Sequence, residues 1–490
     1  GRTLKTVHVA GSFNNWPGTI AAGGWPLSYD AGSKLWTLQR DIGAGSYQYK
    51  LVLNESEWLT DPKNPDKAPD GFGGQNSVLT VTCGGGPPDV TSDFPPENRP
   101  EAFPFDNSAE ARVVTTPHLD AYRGAAAALV KALGARVSTL IPCDPNGGRD
   151  ACAAAFVRSF GLRALRRPPT DTEVDRYKAL VLRGADFNAG VGLAIQAMLV
   201  SPAFVYRSEV GQSQGDGTAR LTPYEIASAL SYTFWATLPD QALLDAAKSG
   251  ELATAAGIER HARRLLGDPR SREVVGTFVL QWLGADKVTG QDKNVGQFPL
   301  WSAEVSAAMA AETRRFAAAV VFDGSGKLKE LLTADYSFLN ETLARVYGIG
   351  GVSGADLRKT PYGDGRRAGI LSHGSVLASY AHSNQTSPVR RGLFVRRNVL
   401  CEELPPPPPN AGAVPDVNSN ATTRERFAQH TSTPFCKSCH QYIDSIGLGF
   451  ERFDAIGQYR ETENGKAVDP SGDLNDPLML GERKSNPFST

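Results

Sequence analysis

The run CGGGPPDVTSDFPPENRP at residues 83–100 divides the chain into two parts that cannot share secondary structure. Its glycines and prolines interrupt both the two-residue alternation of a strand and the 3.6-residue period of a helix, so neither can propagate through it. The patterns on its two sides differ in kind. Before it, TVHVAGSF, LWTLQRDI, SYQYKLVL and NSVLTVT are short runs of β-branched and aromatic residues separated by Gly, Pro, Asn and Asp clusters, which predicts a β-sandwich. After it, DAYRGAAAALVKALGARV, ACAAAFVRSFGLRALRR, YEIASALSYTFWATL and AAMAAETRRFAAAVVF carry Ala, Leu, Arg and Glu at helical spacing. TDTEVDRY, TPYEIAS and SAEVSAAM each place a Ser or Thr shortly before an acidic residue at the start of an apolar run, which predicts capped helix starts. LPPPPP at 404–409 predicts extended polyproline, because proline lacks the backbone donor and the φ freedom of a helix.

At 490 residues the chain exceeds what one hydrophobic core serves. The expected fold is multidomain: an N-terminal immunoglobulin-like β-sandwich, then a mainly α-helical body, then a small helical segment whose Cys436, Cys439 and His440 form a CxxCH, the c-type haem motif. The expected boundaries are 1–83 for the sandwich, 84–105 for a linker, 106–400 for the body, 401–425 for polyproline and linker, and 426–490 for the last segment. The 51 basic and 52 acidic residues give a net charge of −1 without a basic block, which argues against nucleic acid as a partner and against a polybasic membrane patch. No apolar stretch is long enough to span a bilayer, and the first residues alternate like a strand rather than forming a charged start and apolar run, so any export signal is expected to have been removed or left out.

FCKSCHQYIDSIG holds the motif with the clearest chemistry. Two thiols three residues apart, Cys436 and Cys439, suit addition to the two vinyl groups of one haem, and the adjacent His440 suits an axial position on its iron. With 6 Cys and 7 His in the chain, the motif is expected by chance on the order of 0.001 times. A zinc knuckle or a thioredoxin-type pair is the rival reading, but the first lacks a second Cys or His pair at zinc spacing and the second lacks its βαβ setting. Candidates for the iron's other axial position are His430 and His382, with His430 preferred, and then Met479 and His373; each also has an ordinary packing or hydrogen-bonding use. Four cysteines remain. Cys143 and Cys152 bracket the turn-rich DPNGGRDA and are expected to form a disulfide, whereas any pairing of Cys83 with Cys401 is open.

The run RRAGILSHGSVLASYAHSNQTSPVRRGLFVRRNVLCEELPPPPP, followed by RERFAQHTSTPFCKSCHQYIDSIGLGFERFDAIGQYR, closely resembles the planctomycete-type cytochrome c multidomain proteins of bacteria. The resemblance extends back through CDPNGGRDACAAAFVRSFGLRALRRPPTDTEVDRY and covers roughly residues 90–475. It implies an exported, single-haem helical protein and names no reaction. VHVAGSFNNWPG, SYQYKLVLNESEWLTDPKNPD and DGFGGQNSVLTV resemble the glycogen-binding module family, carbohydrate-binding module family 48. That resemblance implies α-glucan contacts at Trp16, Lys50, Trp58 and Asn76, all of which are present. Indole faces stack on a pyranose while lysine and amide groups donate to its hydroxyls; the same tryptophans, and Trp25 in AAGGWP, could equally pack the sandwich.

Three functions fit these readings. The first is electron exchange with a redox partner protein, in the periplasm or at the cell surface, by a haem c protein whose module holds an α-glucan or other polysaccharide. The second is a haem oxidoreductase acting on polysaccharide or peroxide, with His382 and Arg390 or Arg391 as the groups to examine. The third is a structural or filament-forming subunit, with oligomeric state open and a stacked homo-oligomer among the alternatives. Glu451, Asp454 and the arginines at 390, 391, 396 and 397 read as surface ion pairs or haem-propionate partners as readily as catalysts.

Overall fold

A computed structural model describes residues 4–14, 16–30, 35–38, 40, 42, 45–64, 66–70, 73–81, 90–91, 94–95, 99–100, 103–108, 113–402, 404, 415–431, 434–474 and 487–488. Cys83, the polyproline run at 405–409 and Met479 lie outside the described residues, as does the side chain of His430. The chain forms two compact units, one of residues 1–94 with 120–139 and one of residues 95–119 with 140–490. The expected fold class holds: a strand-rich N-terminal region precedes a helical body.

In the strand-rich region, β1 (Val7–Gly11), β2 (Trp25–Pro26), β5 (Gly45–Leu53), β7 (Lys67–Pro69) and β8 (Gln75–Val81) form an antiparallel sheet in the order β2-β1-β5-β8-β7. β6 (Glu57–Leu59) also pairs with β5, and β3 (Ser28–Asp30) with β4 (Leu35–Thr37) makes a separate hairpin. The nine-residue β5 is central because it pairs with β1, β6 and β8, and its Val52, opposite His8 of β1, is buried with His8 and Ala10 on one face. Tyr29 and Trp36, directly opposite across the hairpin, bring their rings to 5.3 Å, the aromatic cross-strand pairing that stabilises a short ribbon.

Three helices begin where the sequence signals place them. Thr170 and Glu173 close a reciprocal capping box at the start of Asp171–Arg183, Thr222 and Glu225 do the same for Pro223–Trp235, and Ser302 accepts from the Val305 amide at the start of Ala303–Phe322. Each satisfies amides that an uncapped helix leaves bare. Cys143 and Cys152 form the expected disulfide, tying the turn at 144–148 to the helix Arg149–Ala164. Trp235, Leu243, Leu252 and Leu265 make one apolar cluster. A larger cluster contains Leu283, Met309, Phe316, Leu339, Val346, Ile370, Phe394, Ile446 and Ile456, so one core runs from the long helix Ala303–Phe322 to the helix Pro434–Gly447 that carries the CxxCH residues. Among the described residues no helix is long and apolar enough to cross a membrane.

Two features set the position of the CxxCH helix. The first is close backbone approach to the helix Pro388–Phe394: a Cβ on Gly392 would meet the Ile443 carbonyl oxygen at 2.1 Å, and one on Gly447 would meet that of Pro388 at 1.8 Å. Only residues without a Cβ fit there. The second is a pair of buried arginines, and here the sequence reading needs correction: Arg391 and Arg396 are 2% and 0% exposed and Glu451 is 2% exposed, so none is a surface ion pair. Arg391 donates to the carbonyls of Phe450 (3.0 Å), Phe453 (2.8 Å), Leu377 (3.2 Å) and Asp454 (2.7 Å), with Glu451 at 3.7 Å. Arg396 donates to the Tyr442 carbonyl at 2.6 Å and to Glu402. Arg391 lies on the helix Pro388–Phe394 and Arg396 in the π-helical turn Val395–Val399 that continues it, and both are turned to carbonyls of the CxxCH helix and the turn after it. Removing one partner of a buried charge pair leaves the other uncompensated. Arg391→Ala is therefore expected to cost about 3–5 kcal/mol, while the exposed Arg390→Ala stays within about 0.5 kcal/mol. Urea unfolding of the two variants measures the difference.

Candidate functional site

The helix Pro434–Gly447 opens with proline at its first position, where the missing amide hydrogen costs nothing. Cys436, Cys439 and His440 lie at i, i+3 and i+4, which puts all three on one side of its first turns, and each is partly buried. One turn further on, Asp444 takes the imidazole: His440 Nδ1 lies 3.0 and 3.1 Å from the two carboxylate oxygens. A carboxylate only accepts, so Nδ1 carries the hydrogen and Nε2 the lone pair. The pairing raises the His440 pKa, with the Asp444 hydrogen bond as the main cause. A histidine that donates its second ring nitrogen to a carboxylate is oriented and made more basic toward iron. The donor set thus suits a covalently held haem: two thiols at vinyl spacing and an imidazole in one fixed tautomer. The sequence reading missed Asp444, although its i+4 position in HQYID is a legible signal for a helical partner. Among the described residues no group of three or more His, Cys, Asp and Glu side chains is arranged to hold a bare metal ion.

The other histidines differ in their surroundings. His373 is fully buried and both of its ring nitrogens face hydroxyls, Thr313 at Nδ1 (3.0 Å) and Ser337 at Nε2 (3.3 Å). His382 sits in a tight turn, its amide donating to the Gln385 carbonyl at 2.9 Å and its own carbonyl accepting from Lys293 Nζ at 3.0 Å. Its Nε2 is buried and has no hydrogen-bond partner among the described residues. Burial first, and then Arg390 and Lys293, lower its pKa and so favour the neutral ring that a metal would need. Lys293 itself is buried over the carbonyls of Ala378, Ala381 and His382, and desolvation pushes its pKa down to about 7. Cys401 is exposed and has φ 57°, a left-handed backbone that non-glycine residues rarely adopt.

In the strand-rich region, the register brings three of the four candidate sugar contacts to one face. Trp58 lies opposite Val52 on β5, and Lys50 shares that face two residues earlier. On β8, Ser77 lies opposite Tyr49, so Asn76 falls opposite Lys50 and on its face. Trp58 is 42% exposed. Lys50 Nζ is ion-paired with Asp70 at 2.7 Å, and Asn76, 6% exposed, donates its amide to Gln48 Oε1 at 2.9 Å. Trp16 is half-buried, and a Cβ on Gly18 would lie 4.0 Å from Trp58 Cζ2, so the loop carrying Trp16 runs beside Trp58. Trp25 instead stacks on Phe13 at 4.5 Å.

Three stretches of the chain match models of protein families. Residues 152–209 match PSD5, a protein of unknown function (DUF1595); residues 221–349 match PSD4, a protein of unknown function (DUF1592); and residues 367–463 match PSCyt3, a protein of unknown function (DUF1588). The last contains Cys436, Cys439, His440 and Asp444. No curated protein matches the chain. The three matches are to the domain families of planctomycete cytochrome c-type proteins, and they support that family for the helical body.

Proposed function

We propose that this protein is an exported mono-haem c-type cytochrome that exchanges electrons with a redox partner protein in the periplasm or at the cell surface. The observation that carries this reading is the His440–Asp444 pair on the same helix as Cys436 and Cys439. A haem linked through the two thiols would supply one-electron chemistry. The chain's own residues would do the rest: Cys436 and Cys439 tether the macrocycle, His440 offers Nε2 to the iron, and Asp444 holds the imidazole in that tautomer. Of the two distal candidates, His430 and His382, the side chain of the first lies outside the described residues, and the second has a buried Nε2 that lacks a hydrogen-bond partner among them, which supports it as a ligand. The domain plan that goes with this reading is a module at 1–83, a linker at 84–105, a helical body at 106–400, a polyproline linker at 401–425 and a haem segment at 426–490. The module is proposed to hold an α-glucan or related polysaccharide on the face that presents Trp58, with Trp16 beside it and Lys50 and Asn76 as polar contacts.

Optical and electron paramagnetic resonance spectra of the holoprotein, with and without carbon monoxide, test the electron-transfer reading. A low-spin iron that ignores carbon monoxide is the expected result, with conversion to a high-spin, carbon monoxide-binding form in whichever of His382→Ala and His430→Ala removes the distal ligand. A wild-type iron that binds carbon monoxide readily would favour the oxidoreductase alternative. Absence of a haem spectrum would remove both. For the module, Trp58→Ala is expected to weaken α-glucan binding about fivefold, equivalent to ~1 kcal/mol of lost stacking. Affinity electrophoresis in glycogen-containing gels measures it, and unchanged migration of the wild type with and without glycogen would refute the sugar reading.

A further inference from the structure

The long helix Ala303–Phe322 carries a carboxylate that the haem reading does not use. Glu312 is fully buried, as are Thr313, Ser337, His373 and Ser375, each at 0% exposure. Glu312 Oε1 accepts from the Ser337 hydroxyl at 2.7 Å, and Oε2 accepts from the Tyr347 hydroxyl at 2.6 Å. Tyr347 is held in turn by the Gly374 amide, which donates to its oxygen at 2.6 Å. Beyond Ser337 the contacts continue without a gap: Ser337 Oγ to His373 Nε2 at 3.3 Å, His373 Nδ1 to Thr313 Oγ1 at 3.0 Å, and Thr313 Oγ1 to Ser375 Oγ at 2.6 Å. Arg367 stacks on the Tyr347 ring at 3.8 Å and donates to the carbonyls of Ser372 and Gly457. The Tyr362 hydroxyl, buried and acting on the same carboxylate, makes no hydrogen bond among the described residues.

Hydrogens can be placed on this chain in one self-consistent way for each state of Glu312. With the carboxylate ionised, Ser375 donates to Thr313, Thr313 to His373 Nδ1, His373 Nε2–H to Ser337, and Ser337 to Glu312. With the carboxyl protonated and donating to Ser337, every bond runs the other way: Ser337 donates to His373 Nε2, His373 Nδ1–H to Thr313, and Thr313 to Ser375. The two states differ by one proton, taken from water. In the change each hydroxyl keeps one hydrogen and the imidazole keeps one, but on the opposite nitrogen.

We propose that Glu312 and His373 form a buried proton-linked switch, in which protonation of Glu312 reverses the Ser337 hydroxyl and moves His373 from the Nε2–H to the Nδ1–H tautomer. The groups facing Glu312 come from every element packed on it: Thr313 on its own helix, Ser337 on the strand Tyr336–Leu339, Tyr347 on the helix Glu341–Tyr347, Tyr362 and Arg367 between these and the next helix, and His373 with Ser375 at the helix Gly374–Ser379. Burial raises the Glu312 pKa to about 7 against the pull of Tyr347, Ser337 and Arg367. Burial, aided by Arg367, lowers that of His373 to about 3, so the imidazole stays neutral and answers by tautomer rather than by charge. The network also joins the stretch 221–349, which supplies Glu312, Ser337 and Tyr347, to the stretch 367–463, which supplies Arg367, His373 and Ser375. A reversal of its polarity is therefore felt on both sides of their shared core. This inference does not depend on the haem reading.

The test is nitrogen-15 spectroscopy of the full chain labelled at histidine, with infrared detection of the protonated carboxyl, from about pH 9 down to about pH 5. The expected result is a carboxyl band that grows with a midpoint near neutrality and, in the same transition, a shift of His373 from Nε2–H to Nδ1–H. Glu312→Gln should abolish the band and fix His373 in one tautomer at every pH. Should that variant fail to fold, Ser337→Ala serves instead, with the carboxyl band retained and the tautomer change uncoupled from it. The proposal is overturned if the band is absent, if His373 keeps one tautomer through the carboxyl transition, or if His373 becomes doubly protonated within that range.

Discussion

The position of the CxxCH helix depends on two cations that lack solvent. Arg391 reaches four backbone carbonyls and Arg396 reaches one carbonyl and Glu402. The carbonyls of Phe450, Phe453 and Asp454 belong to the turn after the CxxCH helix, and that of Tyr442 belongs to the helix itself. Backbone carbonyls in a turn have no ladder to complete, and a buried one without a donor would be costly. The guanidinium's planar set of donors satisfies several at once, which a lysine ammonium could not match in geometry. The arginines thereby fix the backbone around the haem motif rather than decorating its surface, and the small residues Gly392 and Gly447 let the two helices approach closely enough for them to do so.

The same lobe shows two ways of handling a buried or half-buried histidine. His440 is partnered by a carboxylate on its own helix, which raises its pKa and commits one nitrogen. His373 has a hydroxyl at each ring nitrogen, with the Glu312 carboxylate further off at 3.9 Å from Nε2, and burial keeps it neutral. A carboxylate partner permits one hydrogen placement, whereas hydroxyl partners permit two. The first arrangement suits a ligand that must not change; the second suits a group whose tautomer is free to follow its surroundings. His382 stands apart from both, with a buried ring nitrogen that has no partner among the described residues.

Local signals were read correctly from the sequence wherever their physics is local. The capped helix starts at Thr170, Thr222 and Ser302, the Cys143–Cys152 bridge and the strand runs all depend on neighbours within about ten residues of chain. Cys436, Cys439 and His440 are likewise aligned by a single helical turn. Asp444 was just as local and could have been read by the i+4 rule, since it stands one turn after His440.

What the amino-acid sequence determined by itself was the order of a strand-rich region and a helical body, the caps that start the helices, and the presence of a haem-type motif. Only the tertiary structure decided that Arg391, Arg396 and Glu451 are interior groups, and that Glu312, Ser337 and His373 meet although they come from three separate elements. The physical reason is the range of the interactions concerned. Helix caps and cross-strand patterns are written in residues a few positions apart, whereas the burial of a charge depends on carbonyls up to 63 residues away, as between Arg391 and Asp454, which come within reach only after the core has closed.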